Sequence, residues 1–98
     1  MKKQIYRQGD VILEKIDKIP GDAYPVDTKL SLTGETGNAH VITATVLRNP
    51  LEQFITVGKG GALMVHPEHP ILKVRKGNYR VGRVRTYQEG NPSSAAVD

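Results

Sequence analysis

The sequence predicts an all-β fold, a small antiparallel β-barrel or sandwich of about six to seven short strands, on three observations. Short runs rich in β-branched and apolar residues recur along the chain. Turn-forming residues interrupt those runs roughly every ten positions. The one long stretch without clear strand character, Ile19 to Lys29, contains Pro20, Gly21 and Pro25, which break any helical period.

The elements follow in order. Gln4 to Arg7 and Val11 to Ile16 read as strands separated by Gln8-Gly9-Asp10, a turn-like break. An irregular stretch is expected from Ile19 to Lys29, and Thr33 to Asn38 reads as a loop. His40 to Leu47 has high β propensity, with Val41, Thr43, Thr45 and Leu47 on one face and Ile42, Ala44 and Val46 on the other. Asn49-Pro50 turns the chain into Gln53 to Val57, and Gly58 to Gly61 leads tightly into Ala62 to Val65. Ile71 to Arg75 and Tyr79 to Tyr87 are expected to form a hairpin through Lys76-Gly77-Asn78.

Size and composition bound the rest. The 98 residues fit one domain, expected over 1–87, with a polar C-terminal tail over 88–98 that cannot form a core of its own. A chain this short buries only about two-thirds of its unfolded surface. The absence of cysteine excludes disulfides and thiolate metal sites. No apolar run has the length of a membrane span, and the first residues lack the apolar segment of a signal peptide. The expected location is therefore cytoplasmic, although a protein that ends in an extracellular particle would look the same.

Chemistry concentrates in the three histidines. His66 and His69 lie in His66-Pro67-Glu68-His69-Pro70. Each precedes a proline and is pushed towards extended geometry. Pro67 suits the second position of a turn over residues 66–69, which would bring the turn's ends within about 7 Å. In a straight strand the two rings would point to opposite faces. The turn thus permits a metal centre, with His40 as a third ligand and Glu35 or Glu68 as a carboxylate; a divalent ion such as zinc is the candidate cofactor. The plainer reading is a proline-rich corner whose imidazoles are solvated or bonded to backbone. No P-loop ending follows Thr33 to Gly37, no serine sits in a nucleophile elbow, and no catalytic residue is assigned.

Charge is uneven. Residues 1–35 carry six basic and six acidic side chains, and residues 36–98 carry eight and four, which accounts for the net +4. A β-bulge at Gly82 would place Arg80, Arg83 and Arg85 on one side of the expected hairpin with Lys73 and Arg75. That makes a five-cation ribbon suited to acidic protein surfaces or phosphate backbones. The scarcity of aromatics, one Phe, four Tyr and no Trp, weighs against a single-strand nucleic-acid binder.

The segments Tyr6-Arg7-Gln8-Gly9-Asp10-Val11, Gly34-Glu35-Thr36-Gly37-Asn38-Ala39-His40, His66-Pro67-Glu68-His69, Gly77-Asn78-Tyr79-Arg80-Val81 and Arg85-Thr86-Tyr87 carry a resemblance. Their order resembles that of a family of small uncharacterised proteins from bacterial and bacteriophage genomes, over most of the chain up to about Tyr87. Relatives carry a Gly-His-x-His loop; Asn38 stands where the first histidine would be, so only His40 matches. The resemblance implies no activity, but it makes a virion accessory role plausible.

The leading expectation is a non-catalytic binding or structural β-domain, in its sharpest form a capsid-decorating protein, with a protein partner or self-assembly and no membrane. The alternatives are a cupin-like metal-dependent enzyme using His40, His66 and His69, and a nucleic-acid-binding β-domain.

Overall fold

The computed structural model describes residues 4–34 and 37–84. Eight strands form one antiparallel sheet that curls until it nearly closes into a barrel: β1 Ile5–Gln8, β2 Val11–Ile16, β3 Tyr24–Thr33, β4 Ala39–Arg48, β5 Gln53–Val57, β6 Ala62–His66, β7 His69–Val74 and β8 Gly77–Arg83. The sheet order is β1-β2-β8-β5-β4-β6-β7, and β3 pairs with β4. β1 lies against β7, and side chains rather than a strand ladder join the two. Gln8 Nε2 donates to the Pro70 carbonyl at 2.9 Å, and the Arg75 N–H donates to Tyr6 Oη at 3.3 Å. Among the described residues no helix is long and apolar enough to cross a membrane.

Alternation decides which side chains enter the barrel. Along β4 it is His40, Ile42, Ala44 and Val46 that are buried. Val11 and Leu13 from β2, Ile55 and Val57 from β5, Met64 from β6, Val74 from β7 and Tyr79 from β8 complete the core with Leu30 of β3. Burying each of the larger side chains is worth about 1.5–3 kcal/mol, and the chain has few of them, so the polar links at the barrel ends matter to its stability.

Three expectations are corrected. Tyr24–Thr33 is a strand, not an irregular stretch: it pairs with β4, and its register shifts between Pro25 and Asp27 and again between Asp27 and Lys29. Among the described residues β3 pairs with β4 alone, and an edge strand of this kind tolerates proline. The expected hairpin of Ile71–Arg75 with Tyr79–Tyr87 does not form. β7 pairs with β6, whereas β8 lies between β2 and β5. Tyr79 enters the core, and its hydroxyl donates to the Arg75 carbonyl at 2.7 Å, which pins the crossing between the two strands.

Gly82 is not a bulge. The β2–β8 register runs without a shift through Val11↔Arg83, Ile12↔Gly82 and Leu13↔Val81. Arg83 therefore shares a face with Tyr79 and Val81, opposite to Arg80. Arg85, Tyr87 and the tail over 88–98 lie outside the described residues.

The barrel has two dissimilar rims. One carries the β1–β2 turn at Gly9-Asp10, the β6–β7 turn at Pro67-Glu68 and the C-terminal end of β8. The other carries the β5–β6 connection over 58–61, the β7–β8 connection over 75–76 and the end of β2.

Candidate functional site

The first rim gathers all three histidines. The turn at Pro67-Glu68 pairs His66 with His69, as the prolines predict, and their ring centroids lie 4.5 Å apart. The adjacency that sequence could not supply comes from β4, which runs beside β6 through Val41↔Val65 and Ile42↔Met64. His40 thereby enters the same cluster, 4.3 Å from His66 and 5.8 Å from His69 between centroids.

Gln8 organises the cluster. It is 4% exposed, at the inward-facing end of β1. Its Nε2 donates to the Met64 and Pro70 carbonyls, each at 2.9 Å. With both N–H bonds so used, Oε1 is left facing His40 Nδ1 at 3.0 Å. Rotating the amide would set its oxygen against two carbonyl oxygens, so the network assigns its orientation. Oε1 only accepts, and the proton must therefore sit on His40 Nδ1.

The other side of His40 is set by the β1–β2 turn. His40 Nε2 lies 3.2 Å from Asp10 Oδ1, and Asp10 Oδ2 lies 3.6 Å from an Arg83 guanidinium nitrogen. Arg83 in turn donates to the Thr33 carbonyl at 2.7 Å. Because Nδ1 already carries a proton, a second one at Nε2 makes the ring an imidazolium bonded at both ends. Burial opposes that charge most strongly, His66 and His69 add to the opposition, and Asp10 favours it. The net effect is a His40 pKa below its ordinary 6.5.

His66 is fixed by a different bond: its Nδ1 accepts from the Glu68 backbone N–H at 3.0 Å, which leaves its ring proton on Nε2. Gly9 closes the cluster from above. Its φ of +58° suits glycine, and a Cβ there would stand 2.6 Å from His69 Nε2 and 3.1 Å from His40 Cε1. Arg7 Nε donates to the Gly9 carbonyl at 2.9 Å and steadies the turn.

Chemically, this is a closed hydrogen-bonded cluster. His40 and His66 are 1% and 5% exposed, and one nitrogen of each ring is spent on a partner within the chain. Among the described residues no three His, Cys, Asp or Glu side chains form a group that could hold a metal ion. Within the cluster, His40 Nε2 and Asp10 Oδ1 are in contact at 3.2 Å. Glu35, considered as a carboxylate ligand, lies outside the described residues.

The expected basic ribbon is divided. Arg80 is committed to two carboxylates, at 3.0 Å from Glu14 Oε1 and 3.0 Å from Glu52 Oε2, and Arg83 belongs to the histidine rim through Asp10. Lys73 and Arg75 lie at the opposite rim, beside Lys59 and Lys76.

Fold and cluster together define an all-β, barrel-like domain with a glutamine-anchored histidine cluster at one rim. The chain belongs to the family described as Domain of unknown function (DUF8820), whose model matches residues 7–84. No curated protein and no solved structure matches the chain.

Proposed function

We propose that this chain is a non-catalytic binding domain that docks a protein partner on the outer face of β6 and β7. The observation that carries this reading is an exposed apolar stripe. Leu63 and Val65 of β6 and Ile71 of β7 are 49%, 45% and 59% exposed. Their inward neighbours Met64 and Leu72 face each other in register, so alternation sets the three side chains together on the outside. Val41 extends the stripe onto β4 through its pairing with Val65.

Single exposed apolar residues are ordinary on a protein surface, but a contiguous group across neighbouring strands is the usual mark of an interaction face. The closed histidine cluster supports the same reading from the other side, since a substrate has little access to His40 or His66. A subunit decorating a larger assembly such as a phage capsid, in the virion or the cytoplasm that builds it, is the setting such a domain fits best.

Site-specific photocrosslinking tests this in cells that produce the protein. A crosslinker at Val65 is expected to give one discrete adduct, either with a second protein or with another copy of the chain, and one at exposed Lys18 is expected to give none. No adduct at Val65, or the same adducts from both positions, would overturn the proposal.

A further inference from the structure

We infer that the rim opposite the histidines binds a linear oligophosphate in a cationic cavity walled by Lys59, Lys73, Arg75 and Lys76. This goes beyond the protein-docking face, with which the cavity shares Leu63 at its edge. The cavity is about 810 Å³, and among the described residues no Asp or Glu lines it. Its size falls in the range of small-molecule sites, roughly 300–1,000 Å³. An adjoining hollow of about 470 Å³ shares Lys59 and Lys76 and adds Lys15, with Asp17 as its one acid.

The contrast with the chain's other cations carries the argument. Arg80 and Arg83 each meet a carboxylate, whereas the four cations around the cavity have no ion-pair partner among the described residues. Like charges gathered without counter-charge repel one another, and an anion seated among them would relieve that repulsion.

The walls are also held in place. Arg75 is gripped from both sides of its backbone: its N–H donates to Tyr6 Oη at 3.3 Å, and its carbonyl accepts from Tyr79 Oη at 2.7 Å. Burial and the neighbouring Tyr6 push the Tyr79 hydroxyl up to about 12, so it remains a donor at physiological pH. On the facing wall, Gly61 N donates to the Gly58 carbonyl at 2.9 Å. Gly61 has φ +79°, and a Cβ there would come within 2.9 Å of the Val74 carbonyl. Glycine thus lets the loop bearing Lys59 lie directly on the end of β7.

The chemistry points to phosphates rather than to a base. Three lysines supply point charges and one arginine a planar fork that matches a phosphoryl group. Tyr6, the aromatic at the cavity, is packed edge-on against Tyr79 with centroids 5.7 Å apart, and its hydroxyl is engaged by Gln4 and Arg75. Linked phosphates could come from a free oligophosphate, from a nucleotide or from a nucleic-acid strand.

Isothermal titration of the full chain with sodium tripolyphosphate at low salt is the test. Saturable binding is expected, weakened by added salt, and reduced about tenfold or more in Lys73→Gln/Arg75→Gln. Lys59→Gln/Lys76→Gln should behave alike, while Arg80→Gln should bind as the parent does. Circular dichroism melts confirm that each variant is folded. No saturable heat, or equal affinity in the parent and both cavity variants, would overturn the inference. Short oligothymidylate binding more tightly than tripolyphosphate, with the same sensitivity to the variants, would identify a strand as the source. Weaker binding would identify a small oligophosphate.

Discussion

The two rims of this barrel handle polar groups in opposite ways. At the histidine rim the polar side chains are linked to one another and to backbone: Gln8 bonds His40 and two carbonyls, Asp10 meets His40 and Arg83, and His66 accepts from Glu68. At the lysine rim the backbone is pinned by Tyr6 and Tyr79, but among the described residues the cationic heads around the cavity are left without carboxylates. A hydrogen-bonded cluster of this kind stabilises a small domain. Unpartnered charges on a fixed frame do the reverse. On the proposed reading the histidine cluster is chiefly structural, and recognition falls to the apolar face and the lysine rim, surfaces that look ordinary in the sequence.

That contrast can be broken first at Gln8. Gln8→Leu removes one acceptor and two donated bonds from a buried site, and it should cost about 3 kcal/mol in urea unfolding. Gly9→Ala should cost about 2 kcal/mol by the same measurement, because a Cβ at positive φ must displace His69. Tyr79→Phe loses the bond to the Arg75 carbonyl and should cost about 1 kcal/mol, the main stability effect expected at the lysine rim. Lys76→Gln, by contrast, should change stability by no more than about 0.5 kcal/mol.

Acid sharpens the comparison without a mutation. The His40 pKa is lowered in the folded state by burial and then by His66. Between its ordinary 6.5 and that lower value, the unfolded chain binds more protons than the folded one. Stability from this group is thus complete above about 6.5 and lost as the pH falls through the folded pKa. The urea midpoint should decline in that window, and His40→Gln should flatten the decline.

Much of the fold was legible in the sequence because its signals are local. The Gln8-Gly9-Asp10, Asn49-Pro50 and Pro67 turns, and the alternation along β4, each depend on a few adjacent residues. β3 was missed because its first six residues are exposed and proline-broken, so its pairing with β4 leaves no hydrophobic pattern. The β7–β8 hairpin was misread because nearness in sequence suggested pairing, whereas Tyr79 and Val81 fit β8 between β2 and β5.

The same limit explains the candidate site. The 66–69 turn was visible, but the place of His40 beside it depends on β4 meeting β6, a pairing of distant segments. Gln8 went unread as the anchor. The available signal was its position two residues after Tyr6 on a strand, which directs a polar side chain inward. Likewise, Arg80 looked like part of a free ribbon until β8 placed it opposite Glu14.

The most direct measurement is a long-range proton–nitrogen NMR spectrum of the three histidine rings at neutral pH, before and after zinc is added. A closed cluster predicts a proton on Nδ1 of His40 and on Nε2 of His66, with both patterns unchanged by zinc. Zinc shifting all three rings together would contradict the account and make this rim a metal site, and a proton-free Nδ1 on His40 would contradict the tautomer that Gln8 assigns.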